Sequence, residues 1–493
     1  MKKKKLLLSL LLAVCAGTVS AQTLMLTLDR TIAMAADSSL EAFRSKNMYL
    51  AGYWQFRTYR AARLPSLTLN LTPAQYYRDI TRRYDSSEDI DVYRRQQSYY
   101  ASGGLEVTQN FDLLGGSFFL NSDLGYMRNF GANTYSQFTT IPLRIGYMQN
   151  LMGYNPFKWE RKIEPVKYEK TRKELLYNLE HVSEEATGYF FDLAMAQTEY
   201  EMAREDVASS DTLYRVSEQR HKIASITQSD LLTLKLDAVN ARNKFQNAEI
   251  DLKRAMFRLV SYLNFDKNTE VRLVLPGRPA SMTVVAEEAL MHARENNPQF
   301  LGLHQQILEA EQKVDQTRKE AMFNASLMAS IGFNQVADNF RNAFRDPMQQ
   351  NVVSFTISVP LIDWGVRRGK YNIAKNELNV TQISARQNEL TIEEDLIMTV
   401  GDFNIRQQLI ASTEEALDLA QMAYAETKQR FLIGKADISS LTLSLQRQQN
   451  AQRNYIDALR NYWLSYYKIR KLTLYDFVMH APLADRFDYL NGF

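Results

Sequence analysis

The chain has 493 residues, enough for two to four ordinary domains or one elongated one. A net charge of +3 leaves no basic footprint for nucleic acid. Glycine (19) and proline (11) are scarce and charged residues interleave with apolar ones, so long helices are expected over most of the length.

The N-terminus reads MKKKK, then LLLSLLLAVCAG, then TVSAQ: a basic region, a short apolar core and a small-residue cleavage site. Residues 1–21 are therefore expected to be a signal peptide, with the mature chain starting at Gln22. The only cysteine, Cys15, lies inside that segment, which leaves the mature chain without disulfides, zinc thiolates or a cysteine nucleophile. A rival reading makes Cys15 a lipid-anchored first residue. Val14 then stands where a lipoprotein signal usually has Gly, Ala or Ser. Beyond Gln22 no apolar run approaches the ~20 residues of a membrane-spanning helix, so entry into a membrane requires a β-barrel.

A first structural unit is expected over 22–265, opening with a helix over about 27–63. Strand-like alternation follows over about 66–150, in four segments. They carry Leu67/Leu69/Leu71, Leu105/Val107, Phe118/Leu120/Leu124/Tyr126 and Ile141/Leu143/Ile145/Tyr147. Between the first two, the charged stretch RDITRRYDSSEDIDVYRRQQ (78–97) reads as an exposed loop. The aromatic residues of 76–154 suit lipid-interface girdles or packing. A helical hairpin spans 157–262, broken at KIASITQS, and residues 266–283 read as a linker.

The second unit, 284–472, opens with a helix over 284–322. Two strands within about 325–361 carry Leu327/Ala329/Ile331/Phe333 and Val353/Phe355/Ile357/Val359 around a polar loop at 335–350. A second helical hairpin spans 365–472, broken at LIGKADIS, and a tail occupies 473–493. Ile397, Val400, Phe403, Ile410, Leu417, Ala420 and Tyr424 step by three, four or seven, a coiled-coil seam. Short breaks between such long helices make antiparallel hairpins.

The two units read as an internal duplication. Leu151/Leu361, Asp192/Asp402, Arg220/Arg430 and Ala248/Ala458 each differ by 210, without a gap. Ala35/Ala293, Arg60/Arg318 and Leu69/Leu327 differ by 258, so the first unit carries about 48 extra residues (258 − 210) among its strands.

The stretch VPLIDWGVRRGKY (359–371) has the glycines and cations of a phosphate loop but not the spacing. Three residues separate Gly365 from Gly369, where a P-loop needs four, and Tyr371 rather than Ser or Thr follows Lys370. Instead, Pro360 ends a strand, Asp363 caps the next helix, and Gly365 and Gly369 permit close approach of neighbouring chains. Arg367, Arg368 and Lys370 then meet lipid phosphates or form a solvated basic turn. The five histidines (181, 221, 292, 304, 480) have no metal-ligand spacing, and no GxSxG or comparable hydrolytic arrangement is present.

Several features together resemble the outer-membrane efflux proteins, the TolC-like family, over nearly the whole mature chain. They are ARENNPQ at 293–299 and AARLPSLTL at 61–69, the strand-to-helix pattern Pro360, Leu361, Asp363, Gly365 and Arg367, and the tip spacing Phe431, Gly434, Leu441, Asn450 and Ala451. The resemblance implies an α+β membrane protein. In it, a transmembrane β-barrel of 12 strands, shared by a homotrimer, continues into a long α-helical coiled-coil periplasmic barrel. It implies an exit duct in the outer membrane of a Gram-negative bacterium, no enzyme activity and no cofactor. The implied partners are a periplasmic adaptor (membrane fusion protein), an inner-membrane pump and outer-membrane lipids. Cargo selection would fall to the pump.

By the same resemblance, the hairpin tips Ile223, Ala224, Ser225, Ile226 and Thr227 and Ile433, Gly434, Lys435, Ala436 and Asp437 dock the adaptor. The tunnel constriction falls at Asp230, Ser440 and Leu443, where the last two replace expected carboxylates. Pro360, Asp363, Gly365, Arg367 and Gly369 become the barrel-to-helix swivel. Asp230 has a plainer reading as a helix N-terminal carboxylate, with Thr227 or Ser229 as cap. Six strands depart from the family's four: the extra hairpin either enlarges the barrel or packs outside it, and four in the barrel is the preferred expectation. A periplasmic coiled-coil scaffold or spacer without a pore is the alternative function.

Overall fold

The structure, a computed structural model, describes residues 24–130, 134–222, 226–267 and 269–484. The expected leader 1–21 with Cys15, the start at Gln22, the tip residues Ile223, Ala224 and Ser225, and the end of the tail from 485 on lie outside the described residues.

In chain order the first elements are β1 (Leu24–Leu26), α1 (Leu28–Ser38), α2 (Leu40–Ala61), β2 (Ser66–Asp85), β3 (Ile90–Phe111), β4 (Gly116–Phe130) and β5 (Tyr135–Asn150). The helices α3 (Pro156–Lys222) and α4 (Gln228–Tyr262) follow, then β6 (Val271–Leu273), α5 (Ala286–Asn296) and α6 (Pro298–Glu320). Next come β7 (Asn324–Ala337) and β8 (Met348–Ser358), α7 (Val366–Leu432) and α8 (Ile438–Thr473), and the short β9 (Tyr475–Asp476) and β10 (Ala481–Pro482). Among the described residues no helix is long and apolar enough to cross a membrane.

Three expectations need correction. The helix expected over 27–63 is two helices, because Ser39 adopts an extended backbone and its hydroxyl accepts from the N–H of Ala42, 3.1 Å away, capping α2. The helix expected over 284–322 breaks in the same way at Asn297, where Pro298 disfavours a helical conformation for the residue before it. The charged stretch 78–97 is no irregular loop. It is the outer part of the β2–β3 hairpin, paired from Arg78↔Gln97 to Asp85↔Ile90, with only 86–89 as turn. Ile80, Tyr84, Val92 and Tyr93 keep the β-preferring pattern there, and an Arg82–Asp91 ion pair spans the strands.

The chain divides into two compact units. One holds residues up to Tyr49, Arg172–Pro298 and Leu390 onward, and it is helical. There α3 packs through Tyr189 and Tyr200 against Tyr262 and Phe245 of α4, with ring centroids 4.7 and 5.2 Å apart. On α7, Val400, Phe403, Ile410 and Leu417 are buried, and Phe403 lies 5.1 Å from the Tyr462 ring of α8. Ile397 of the same seam is 45% exposed. Between α3 and α8 run the ion pairs Glu180–Arg470 (2.8 Å) and Asp192–Arg460 (2.9 Å). The first is buried, so its geometry holds orientation more than it adds stability. The breaks in the opening helices clasp the ends of the long ones: Ser38 Oγ donates to the Leu263 carbonyl (2.8 Å), and Asn297 Nδ2 donates to the Leu472 carbonyl (2.9 Å).

The other unit holds Leu50–Thr171 and Gln299–Glu389. Its main feature is one antiparallel sheet in the order β2-β3-β4-β5-β7-β8. Asn297→Ala is expected to cost about 1–3 kcal/mol, because it strips a buried carbonyl of its donor. The thermal midpoint of the helical circular-dichroism signal checks this, with Asn296→Ala as control.

Candidate functional site

The register gives the sheet two unlike faces. On one, Leu67, Leu69 and Leu71 of β2 lie opposite Val107, Leu105 and Gly103 of β3. The face continues through Leu120 and Phe118 to Ile145 and Tyr147, then Ile331 and Ala329, and ends on Val353, Phe355 and Ile357 of β8. These side chains are exposed at both margins: Leu67 by 68% and Val353 by 77%. The opposite face carries Thr68, Asn70, Glu106, Asn121, Asp123 and Arg144. Arg144 Nε donates to Asn121 Oδ1 (3.0 Å), and Asn121 Nδ2 to Asp123 Oδ2 (2.7 Å). Glu106, Asp123 and Arg144 were not singled out in the sequence, although their signal is there: each occupies the alternate position to the apolar residues. Gly146 is required on this face, since a Cβ there would meet the Phe119 ring at 2.2 Å.

At the tips, α7 ends in a Schellman motif. Lys435 N–H donates to the Arg430 carbonyl (2.8 Å) and Gly434 N–H to the Phe431 carbonyl (3.0 Å), with Gly434 at φ +77°. Arg220 of α3 donates to the Leu432 carbonyl (3.0 Å), its guanidinium 5.7 Å from the Phe431 ring centroid. Asp437 caps α8 by accepting from Ser440 N–H (2.7 Å). Its carboxyl is held below the ordinary value of 3.8, first by the Ser440 side chain and then by the backbone N–H of Ser440.

Of the two caps considered for Asp230, the structure selects Thr227. Thr227 and Asp230 form a reciprocal capping box: Asp230 N–H donates to Thr227 Oγ1 (3.1 Å), while Thr227 N–H and Oγ1 donate to Asp230 Oδ2 (3.3 and 2.8 Å). Ser440 and Leu443 are exposed, Leu443 by 48%. Ile226 is half-buried, and Ile433, Gly434, Lys435 and Asp437 are exposed beside half-buried Ala436.

Asp363 does serve the start of α7, with Oδ1 accepting from Gly365 N–H (3.0 Å) and Oδ2 from Arg367 N–H (3.2 Å). Gly365 has a backbone that favours glycine, φ +85°, next to Trp364 at φ +53°, and within the described chain a Cβ there meets nothing within 4 Å. Gly369 has neither a positive φ nor a neighbour in the described chain. Arg367 Nη1 donates to the carbonyls of Glu320 (3.1 Å) and Met322 (3.3 Å), satisfying the C-terminal end of α6. Pro360 follows the end of β8 at Ser358, and Trp364 is 93% exposed. The corresponding joint before α3 uses other residues. Asn155 Oδ1 caps by accepting from Lys158 N–H (3.2 Å), and Pro156 takes the first helical position. Among the described residues, no group of three or more His, Cys, Asp and Glu side chains is placed to hold a metal ion.

Residues 289–473 match the family model described as outer membrane efflux protein. Over that span the chain resembles the outer membrane efflux proteins. No curated protein matches it. Its fold is similar to that of the outer membrane protein VceC from Vibrio cholerae, at 14% identity and TM-score 0.63, covering 90% of this chain and 95% of that one. It is also similar to the CmeC outer membrane channel of Campylobacter jejuni, at 11% identity and TM-score 0.65, covering 90% and 85% of the two chains. The MtrE outer membrane channel of Neisseria gonorrhoeae, in its open state, matches at 12% identity and TM-score 0.61, covering 90% and 88%.

Gly365→Ala should destabilise the joint by about 1–2 kcal/mol, whereas Gly369→Ala should be neutral to the fold of a single copy. Limited proteolysis within 359–369 reads the difference. At the tip, the depressed carboxyl of Asp437 stabilises the folded state above its unfolded value near 3.8. That contribution is lost as the pH falls through the lower folded value. Hydrogen exchange over 438–441, corrected for intrinsic rates, should therefore show protection falling in that acid window, and Asp437→Asn should flatten the fall.

Proposed function

We propose that the protein is the outer-membrane exit duct of a tripartite efflux or secretion system. It is a homotrimer that conducts substrates passively from a periplasmic adaptor and an inner-membrane pump to the outside. The observation that carries this reading is the sheet with one exposed apolar face, one polar face and two open edges. Such a sheet suits a barrel wall with lipid outside and water inside. A periplasmic spacer has no use for it. The efflux-protein match over 289–473 and the likeness to outer-membrane channel folds support the reading.

The helical hairpins then form the coiled-coil periplasmic tunnel, and their tips, around Ile226–Thr227 and Ile433–Asp437, dock the adaptor. The exposed tip of the second hairpin, closed by Gly434 and Asp437, presents a rigid shape for that contact. Asp230, Ser440 and Leu443 line the constriction, where three Asp230 carboxylates in one ring favour cations. Pro360, Asp363, Gly365, Arg367 and Gly369 form the swivel between barrel and tunnel, and exposed Trp364 suits the membrane interface. Duplication underlies the two halves. The helix breaks at Ser39 and Asn297 differ by 258 (297 − 39), the same offset as the flanking sequence pairs.

Outer-membrane extracts run on unheated gels should show a heat-labile trimer, and a soluble monomer would overturn the duct. Because Asp230 also caps α4, the informative variant is Asp230→Asn, which keeps an acceptor for the cap and removes the charge. In planar bilayers it should lower cation selectivity. Unchanged selectivity would remove Asp230 from the constriction.

A further inference from the structure

We infer that all six strands of the sheet are wall strands of the shared barrel, so that β2 of one copy pairs with β8 of the next and three copies close a barrel of 18 strands. The inference rests on the exit-duct reading and goes beyond it, since the family resemblance implies four strands per copy and 12 in all.

A barrel of four strands per copy, with the first hairpin set aside, needs a free edge on β4 to receive β8 of a neighbour. That edge is taken: β3 pairs with β4 along its whole length, from Gln97↔Phe130 to Phe111↔Gly116. The strands left with one unpaired side are β2 and β8. Six strands are too few to close alone, because the smallest membrane barrels have about eight. With an even number of strands, β2 leaves and β8 returns at the same end of the sheet, so the two edges meet antiparallel when copies are placed head to tail. A head-to-tail contact of this kind closes into a ring when each copy is rotated by one third of a turn from the last.

The faces agree as well as the edges. Leu67, Leu69 and Leu71 lie on the same face as Val353, Phe355 and Ile357, so pairing β2 with β8 continues the apolar band without a step. If the first hairpin packed outside the wall, that face of β2 would have a cover within the sheet unit, yet all three leucines are exposed. The edge on offer is short and defined. A bulge lies between Thr72 and Gln75, and Pro73 within it has no N–H to donate, so inter-copy pairing is confined to about Ser66–Thr72. Beyond it, the hairpin above Arg78 and Gln97 stands clear of β4 and carries charge, as suits water on the far side of the membrane.

Paired cysteines test this in the full-length protein, isolated in outer-membrane extracts. One set places a cysteine at Thr68 or Asn70 of β2 and a second at Ser354 or Thr356 of β8, all on the polar face. The comparison set keeps the β8 positions and places the other cysteine at Asn121 of β4. After mild oxidation, heating and non-reducing electrophoresis, at least one pair of the first set should move the monomer band to covalent dimer and trimer, while single-cysteine controls stay monomeric. Cross-linking through Asn121 instead would overturn the inference and leave the duct standing. So would a heat-labile trimer in which no pair of the first set links. A soluble monomer in every case would sink the duct reading itself.

Discussion

Unpaired backbone at a sheet edge is the constraint on which the other features depend. In hydrocarbon, an N–H or C=O without a partner costs several kcal/mol, and no side chain on a lipid-facing strand can replace water. This sheet satisfies every internal ladder from β2 to β8 and leaves two edges that one copy cannot close. The polar face, with Arg144, Asn121 and Asp123 bonded in a chain, then needs an aqueous interior, which a closed wall provides. On the proposed exit-duct reading, assembly, lipid contact and a pore all follow from one hydrogen-bonding requirement.

The two strand-to-helix joints meet a common problem with different chemistry. Each must start a 67-residue helix whose first N–H groups lack partners. Before α3, Asn155 and Pro156 do so within one turn. Before α7, Asp363 reaches over two residues in left-handed conformations, and Arg367 turns back to serve the carbonyl end of α6. The second joint is therefore tied to its neighbouring helix end. The tips show a similar economy, with Thr227–Asp230 and Asp437 each starting the returning helix.

Much of the candidate site was legible in the residues. Alternation at Leu327–Phe333 and Val353–Ile357 is a direct record of one wet and one dry face. The caps at Asp363 and Thr227 are legible because small polar acceptors before a helix have little else to do. Residues whose partners are distant in sequence were not legible. The acceptors of Arg367 Nη1, the carbonyls of Glu320 and Met322, leave no mark in the sequence. Residues 78–97 looked like a loop because charge signals exposure, and an extended hairpin standing in water is as charged as a loop.

The sequence by itself determined the periodicities: period two for the strands, heptad-like steps for the long helices, and the glycine and acidic punctuation at tips and joint. Each follows from local backbone geometry or from a side chain reaching three or four residues away. Only the tertiary structure decided that the first hairpin joins the same sheet as the other four strands, with β3 occupying the edge of β4. It also decided that Ser38 and Asn297 clasp the ends of helices 225 and 175 residues away. A strand carries the same alternation whichever edge it joins, so order within a sheet is settled only by which hydrogen bonds the folded chain makes.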